Sequence, residues 1–351
     1  MTSAQGAKLA LDVHLRHILR VHFSPETGTP YWLRQAAAWG WDPREEIETF
    51  ADLLRFPVFN KEALRSAPHE DWIPRHLAHR PFHVFETGGT TGMPTQRLSW
   101  DDHRLDYSAF SELLDDAAFP RGAAWLIVGP TGPRRLRLAM EHLAQVRGGV
   151  AYHVDLDPRW VRRVLAAGDA EGARRYQEHV IDQALVLLKH RPVRCLFTTP
   201  RLLESLGDRV NLADRGVTGV LCGGTSMSPQ TVRFLAEEVL QRRVRFTPVY
   251  GNTLMGLAAS EPLGPTWEVI YHAPQPRAVL RVVDSAGREV PYGTRGQVEL
   301  TTLTEELFLP RLLERDEAFR RPPTATLPWD GVGDVRPLGT GEGKRTIEGV
   351  Y

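Results

Sequence analysis

Cysteine is scarce in this chain: Cys195 and Cys222 are the only two in 351 residues. Both sit inside apolar runs and share no metal-type or disulfide-type spacing, which leaves them as reduced core residues. A surplus of either charge is also missing, since 43 Lys and Arg balance 43 Asp and Glu. No global field therefore draws the chain to nucleic acid or to an anionic membrane. Long hydrophobic runs are absent too, and none approaches the roughly 20 apolar residues of a membrane span. The N-terminus MTSAQGAKLALDVHLRHIL is broken by Asp12, His14 and His17 and lacks a small-residue cleavage site. These absences lead to the expectation of a soluble, cytoplasmic protein with no nucleic-acid or membrane partner.

What is present divides into three stretches. Residues 1–80 read as a helical and irregular lead rich in aromatics, among them Tyr31, Trp32, Trp39 and Trp41. Such a segment either covers a sheet or cradles a ligand. From 81 to 262 apolar strand-like runs, WLIV (125–128), VAYHV (150–154), CLFTT (195–199), GVLC (219–222) and VRFTPVY (244–250), are separated by helix-like stretches at 135–146, 179–190 and 229–240. This alternation predicts an α/β fold with crossover helices feeding a mostly parallel sheet, whose ligands lie beyond the carboxyl ends of the strands. From 263 to 351, AVLRVVD (278–284) and GQVELTT (296–302) predict a smaller antiparallel sheet or half-barrel. ERDEAFRRPPTATLPWD (314–330) reads as an irregular excursion.

The chemistry-bearing stretch is VFETGGTTGMPTQR (84–97). Gly88, Gly89 and Gly92 remove side-chain bulk where an anion must approach, and Thr87, Thr90 and Thr91 add rotatable hydroxyl donors. Neither the Walker spacing nor G-x-G-x-x-G is present, so spacing alone leaves a phosphate cradle and a surface turn both open. VLCGGTSMSPQT (220–231) runs from a strand through Gly223 and Gly224 to Ser228 and Pro229, which suit an N-cap and a first helical position. VYGNTLMG (249–256) places Tyr250, Gly251, Asn252 and Thr253 just past an apolar strand, and GVGDV offers Asp334. A carboxylate there can take ribose hydroxyls or simply close a turn.

As an ordered set, these motifs resemble the adenylate-forming enzymes: acyl- and aryl-CoA ligases, peptide-synthetase adenylation domains and luciferases. GGTTGMPT is similar to that family's phosphate loop T-S-G-T-T-G-x-P-K, with Thr95 at the lysine position as in the phenylacetate-CoA ligase branch. YGNTL resembles Y-G-x-T-E, GGTSMSP the adenine-side segment, and GVGDV the ribose-binding G-D. HFSPETGTPYW (22–32) with YGNTLMG further resembles adenylating proteins of phenazine antibiotic pathways.

The resemblance implies the fold of the family's large N-terminal domain and activation of an aromatic carboxylic acid by ATP and Mg²⁺, releasing pyrophosphate. Thr87, Gly88, Gly89, Thr90, Thr91 and Gly92 would then grip the β- and γ-phosphates. Gly223, Gly224 and Tyr250, with Gly251 and Asn252 beside it, would flank adenine, Thr253 would touch the α-phosphate, and Asp334 would hold ribose. Thr91, Thr253 and Arg134 are the expected catalytic groups; His83, Arg135, His153 and Met255 are the expected pocket for the acid.

Two departures stand out. The family's metal-reaching glutamate is Leu254 here, and leucine cannot ligate a hard cation, which leaves the metal ligand unassigned. EGKRTIEGVY (342–351) resembles an altered hinge, with Lys344 or Arg345 at its arginine, so the mobile C-terminal domain is expected to be missing. Self-contained CoA ligation is then doubtful. An acceptor enzyme, amine or reductase would take the activated group, with a homodimer as one assembly; the other reading is a non-catalytic nucleotide- or acyl-binding module.

Overall fold

The structure is a computed structural model that describes residues 3–87, 93–133 and 135–339. Along the chain, α1 (Ser3–Phe23) and α2 (Pro30–Trp39) precede the hairpin of β1 (His83–Glu86) and β2 (Gln96–Ser99). There follow α3 (Asp102–Ser111), β3 (Ala124–Ile127), α4 (Arg135–Val146), β4 (Val150–His153), α5 (Pro158–Ala166), α6 (Ala170–His190) and β5 (Val193–Thr198). Next come α7 (Pro200–Gly207), β6 (Gly219–Cys222), α8 (Pro229–Phe234) and β7 (Arg245–Pro248). The remainder is β-rich: β8 (Tyr250–Asn252), β9 (Gly256–Ser260), β10 (Ile270–His272), β11 (Ala278–Val283), β12 (Arg295–Leu303), β13 (Phe308–Arg321) and β14 (Gly331–Pro337). The chain folds as two compact units: Met1–Asp102 with Leu254–Gly256 and His272–Gly333, and His103–Thr253 with Leu257–Tyr271 and Asp334–Tyr351.

In the first unit β11, β12 and β13 form an antiparallel run, with Leu280 opposite Leu300 and Leu300 opposite Leu312. The aromatic N-terminal stretch covers this sheet. Phe308 lies with its ring centroid 5.2 Å from Trp32, 5.6 Å from Phe56 and 5.7 Å from Phe23. Edge-on and tilted contacts of this kind add roughly 0.5–1.5 kcal/mol per pair beyond the area they bury. Three polar anchors fix the same face: His14 Nε2 to the Leu303 carbonyl at 2.8 Å, His22 Nε2 to the Thr304 carbonyl at 2.7 Å, and Trp32 Nε1 to the Phe308 carbonyl at 3.0 Å. Tyr31 stacks on Trp72 at 4.2 Å, and Trp39 stacks on Trp41 at 5.5 Å.

The charged segment from 314 departs from its reading as an irregular excursion, because β13 continues through Arg321. Cross-strand pairing satisfies its charges: Arg295 lies 3.6 Å from Glu317, and its guanidinium sits 4.1 Å from the Phe319 ring centroid. Two register irregularities between β12 and β13 interrupt the polar and apolar alternation that marks a strand in sequence.

In the second unit the five strands β4-β3-β5-β6-β7 lie in that order, all parallel. The predicted helix over 135–146 is α4, and the helix-like run at 179–190 is the second half of the longer α6. Helix starts follow their caps. Asp157 accepts from Arg159 N at 2.8 Å with Pro158 in the first turn of α5, and Asp169 accepts from Gly172 N at 2.7 Å to open α6. Ser228 accepts from Thr231 N at 3.1 Å before Pro229, as the sequence leads one to expect. Trp125, Ile127, Cys195, Phe197 and Leu221 form the core with Tyr107 and Phe110 of α3 and Met140 and Leu143 of α4. Each fully buried aliphatic or aromatic side chain there contributes about 1.5–3 kcal/mol.

Candidate functional site

The parallel sheet puts three hydroxyl- and glycine-bearing turns at one edge. After β3 the chain turns aside to β4 and then returns to β5 on the other flank of β3, so the strand order reverses between β3 and β5. Ligands of open α/β sheets bind at such a point, beyond the carboxyl ends. There, Thr198 ends β5 and Thr199 follows it, both with hydroxyls buried and without a hydrogen-bond partner. Buried polar atoms are ordinarily satisfied, so two orphans at a sheet edge mark a place for a polar ligand.

Beside them, the Gly223 amide donates to the Thr198 carbonyl at 3.1 Å, and the Val249 amide donates to the Cys222 carbonyl at 2.8 Å. A Cβ on Gly223 would meet the Val249 carbonyl oxygen at 2.5 Å, and Gly224 has φ +93°. Glycine is required at both positions, at the first for space and at the second for backbone conformation. The turn after β6 thus lies flush against the segment that leads to Tyr250.

Tyr250 and Asp334 meet the same short segment, residues 269–271. The Tyr250 ring lies 5.5 Å from that of Tyr271 in β10, and the Asp334 amide donates to the Val269 carbonyl at 3.4 Å. The adenine-side and ribose-side residues of the sequence reading therefore flank one three-residue segment. Asp334 has φ +46°, a conformation uncommon outside glycine that Asp tolerates better than most residues. Burial holds the Tyr271 hydroxyl in its neutral form, well above the usual range. Tyr250, Asn252, Thr253 and Asp334 are half-buried and Gly251 is exposed.

The phosphate-loop motif lies in the first unit. Residues 88–92, which include Gly88, Gly89, Thr90, Thr91 and Gly92, lie outside the described residues, but the neck of the loop is defined. Thr87 N donates to the Thr95 carbonyl at 2.9 Å, and Thr95 N donates back to the Thr87 hydroxyl at 3.0 Å. Thr95, at the family's lysine position, is fully buried, with its hydroxyl unpartnered. Arg97, two residues on, is also fully buried. Its Nη1 donates to the Leu254 carbonyl at 2.7 Å and its Nη2 pairs with Asp102.

The residues expected to form the acid pocket belong to both units. His83 is exposed and stacks beside Phe85 at 5.7 Å, while Met255 is buried in the first unit. In the second unit Arg135 is buried and paired with Asp106. His153 is half-buried, with neither ring nitrogen hydrogen-bonded. Burial lowers its pKa, reinforced by the Arg137 charge, so the ring is neutral near pH 7. Arg134, Lys344 and Arg345 lie outside the described residues. Both cysteines are buried, and burial pushes the Cys195 thiol up to about 12 and Cys222 higher still.

ATP and magnesium fare differently against these residues. The orphaned Thr198 and Thr199 hydroxyls beside a bare glycine turn fit a polar nucleotide. Magnesium does not fit at the family's acid position, because Leu254 is 1% exposed and carries no oxygen ligand in its side chain. Among the described residues no group of three or more His, Cys, Asp or Glu could hold a metal ion. Thr198, Thr199 and Arg97 escaped the sequence reading. The first two stand inside an apolar strand run and the third looks like an ordinary strand-end arginine, so only the strand order and the burial reveal them.

Solved structures share this architecture. The chain is similar to 2-hydroxyisobutyryl-CoA ligase in the postadenylation state with 2-HIB-AMP, at a TM-score of 0.71 and 17% identity over 94% of this chain and 67% of that one. An open conformation of that ligase with 2-HIB-AMP and CoA gives 0.70 and 17% over 97% and 71%. Apo MbtA of Mycobacterium smegmatis gives 0.50 and 16% over 72% and 45%. No protein-family model and no curated protein matches the sequence. A five-stranded parallel sheet with antiparallel sheets in this arrangement is the fold of the N-terminal domain of adenylate-forming enzymes.

Proposed function

We propose that this chain binds ATP and a carboxylic acid and joins them as an acyl adenylate, releasing pyrophosphate. One observation supports the reading: Gly223 bonds to Thr198 beside the orphaned Thr198 and Thr199 hydroxyls, and Tyr250 and Asp334 flank residues 269–271 of the same unit, in the fold of ligases solved with an acyl adenylate. A flat base against bare glycine backbone, a tyrosine ring and a carboxylate for ribose hydroxyls suit an adenosine. Thr87, Thr90, Thr91 and the glycines between and after them supply amide and hydroxyl donors for the outer phosphates, Thr253 serves the α-phosphate, and Arg134 offers positive charge as pyrophosphate leaves.

The acid in this proposal is aromatic and the setting is specialised biosynthesis in the cytoplasm, on the strength of the motif resemblance. The same resemblance assigns His83, His153 and Met255 to its recognition. Arg135 is already committed to Asp106, so a second carboxylate on the substrate would share that cation. Transfer to CoA, an amine or a reductase is left to an acceptor. Pyrophosphate exchange with a panel of aromatic and aliphatic 2-hydroxy acids tests the proposal. Exchange with at least one acid supports it; tight ATP binding without exchange for any acid, with pathway partners present, defeats catalysis.

Leu254 favours a second reading. With an apolar, buried side chain where the family places its metal acid, the same pocket serves as a non-catalytic nucleotide or acyl sensor. AMP binding without exchange under every acceptor condition would be its signature.

A further inference from the structure

We infer that Arg97 is a positioning residue, tying the strand that leaves the glycine- and threonine-rich loop to the backbone beside Thr253. The inference rests on the proposed adenylation reading and adds a residue to which neither motif nor resemblance assigns a role.

An arginine with no exposed side-chain surface is unusual, and in a strand as short as β2 it requires dedicated partners. Arg97 has them in two directions. Nη1 donates to the Leu254 carbonyl at 2.7 Å, and Nη2 pairs with Asp102 at the start of α3. The Leu254 carbonyl also accepts from the Thr302 hydroxyl at 3.0 Å, so two donors hold a single backbone oxygen. Asp102 is held in turn by Arg277 at 2.6 Å and by the Thr304 hydroxyl at 2.6 Å. Glu306 supports the same corner, accepting from Ser99 Oγ at 2.8 Å and from Asp102 N at 2.8 Å.

The chain positions of the endpoints give the tie its meaning. Arg97 lies two residues past Thr95, whose backbone closes the neck of the loop through Thr87. Leu254 directly follows Thr253, the residue proposed to meet the α-phosphate. A rigid guanidinium fork fixes the distance between β2 and the Leu254 carbonyl, which a flexible ammonium cannot do while also meeting Asp102. Leucine at 254 also makes sense here. With no metal-reaching carboxylate, position 254 contributes its carbonyl as an anchor and its side chain as packing.

Arg97→Lys, Arg277→Lys and Thr302→Val separate this role from simple stabilisation. Each is measured for thermal midpoint, ATP and AMP affinity, and pyrophosphate-exchange kcat and KM per folded molecule. Arg97→Lys should lower kcat about 10–100-fold, the size of effect that a misplacement of about 1 Å in the reacting groups produces, with the acid's KM little changed. Thr302→Val should show the same kcat defect to a smaller degree. Arg277→Lys, which alters the support of Asp102, should lower the thermal midpoint and leave kcat per folded molecule near wild type. If Arg97→Lys and Arg277→Lys lose kcat equally, or if Arg97→Lys only melts earlier, the inference is overturned. Should Arg97→Lys fail to fold, Thr302→Val decides alone, and a wild-type kcat in that variant overturns it. Wild-type protein that neither binds ATP nor exchanges pyrophosphate removes the proposed function and this inference together; a competent wild type with an equally competent Arg97→Lys removes the inference only.

Discussion

Thr87 and Thr95 exchange two hydrogen bonds: the Thr95 amide reaches the Thr87 hydroxyl at 3.0 Å, and the Thr87 amide reaches the Thr95 carbonyl at 2.9 Å. The loop between them therefore springs from a closed neck. A hydroxyl oxygen that accepts in this way can also donate its own proton. Thr87→Val removes one neck bond and leaves the other, a loss of about 1 kcal/mol. We expect weaker ATP binding with a nearly unchanged thermal midpoint, checked by ATP titration and melting of the same preparation.

Thr91→Val and Asp334→Asn should divide the nucleotide into two regions. A hydroxyl that meets the outer phosphates matters to ATP and not to AMP, whereas a carboxylate on the ribose matters to both. Each loss should be about 1.5–3 kcal/mol in the affected nucleotide. Parallel calorimetric titrations with ATP and AMP check it, and equal losses for Thr91→Val would remove that residue from the distal phosphates.

Gly223→Ala places a Cβ 2.5 Å from the Val249 carbonyl oxygen, a backbone atom that cannot swing aside. Relief requires the turn after β6 to move away from the segment leading to Tyr250. The expected loss of stability is about 1–3 kcal/mol, accompanied by weaker nucleotide binding. Chemical denaturation together with AMP titration measures both.

His22 links stability to pH. It is fully buried between the Thr29 hydroxyl and the Thr304 carbonyl, at 2.7 Å each, and burial lowers its pKa from 6.5 to about 4. The unfolded chain therefore binds a proton between these values that the folded chain does not. Stability is fully present above pH 6.5 and falls as pH drops toward 4, by roughly 3 kcal/mol over the whole window. Glu306 works in the opposite sense, since burial and the neighbouring Asp102 raise its pKa. The His22 contribution is thus read as the difference between wild type and His22→Gln in urea midpoints from pH 7 to pH 4.5; that difference should shrink at low pH.

Asp106→Asn leaves the Arg135 guanidinium buried without its countercharge and should destabilise by about 3–5 kcal/mol. Replacing the pair together, Asp106→Leu with Arg135→Met, should recover most of the loss because no charge is then stranded. Denaturation of the single and double variants checks the sign. Exchange activity of the double variant also shows whether Arg135 serves a substrate carboxylate.

How much of the site is legible in sequence depends on the reach of the interaction. Ser228 capping α8 and Asp157 capping α5 are decided within three residues, so residue type and spacing suffice. The strand–helix alternation from β3 to β7 is equally plain, because a sheet buried on both faces shows as continuous apolar runs. The strand character of 314–321 was hidden, since its charges are satisfied by partners on β12 that no local pattern names.

The sequence by itself determined the strands of the parallel unit, the helix over 135–146, the Ser228 cap and the order of the glycine- and hydroxyl-rich turns, all consequences of local periodicity and backbone chemistry. Only the tertiary structure decided that Arg135 would be spoken for by Asp106, that Tyr250 and Asp334 would flank the segment 269–271, and that Arg97 would vanish into the interior to hold the Leu254 carbonyl. Burial and long-range hydrogen bonding join residues up to 289 positions apart here, and a charge reads the same in sequence whether water or a carbonyl meets it.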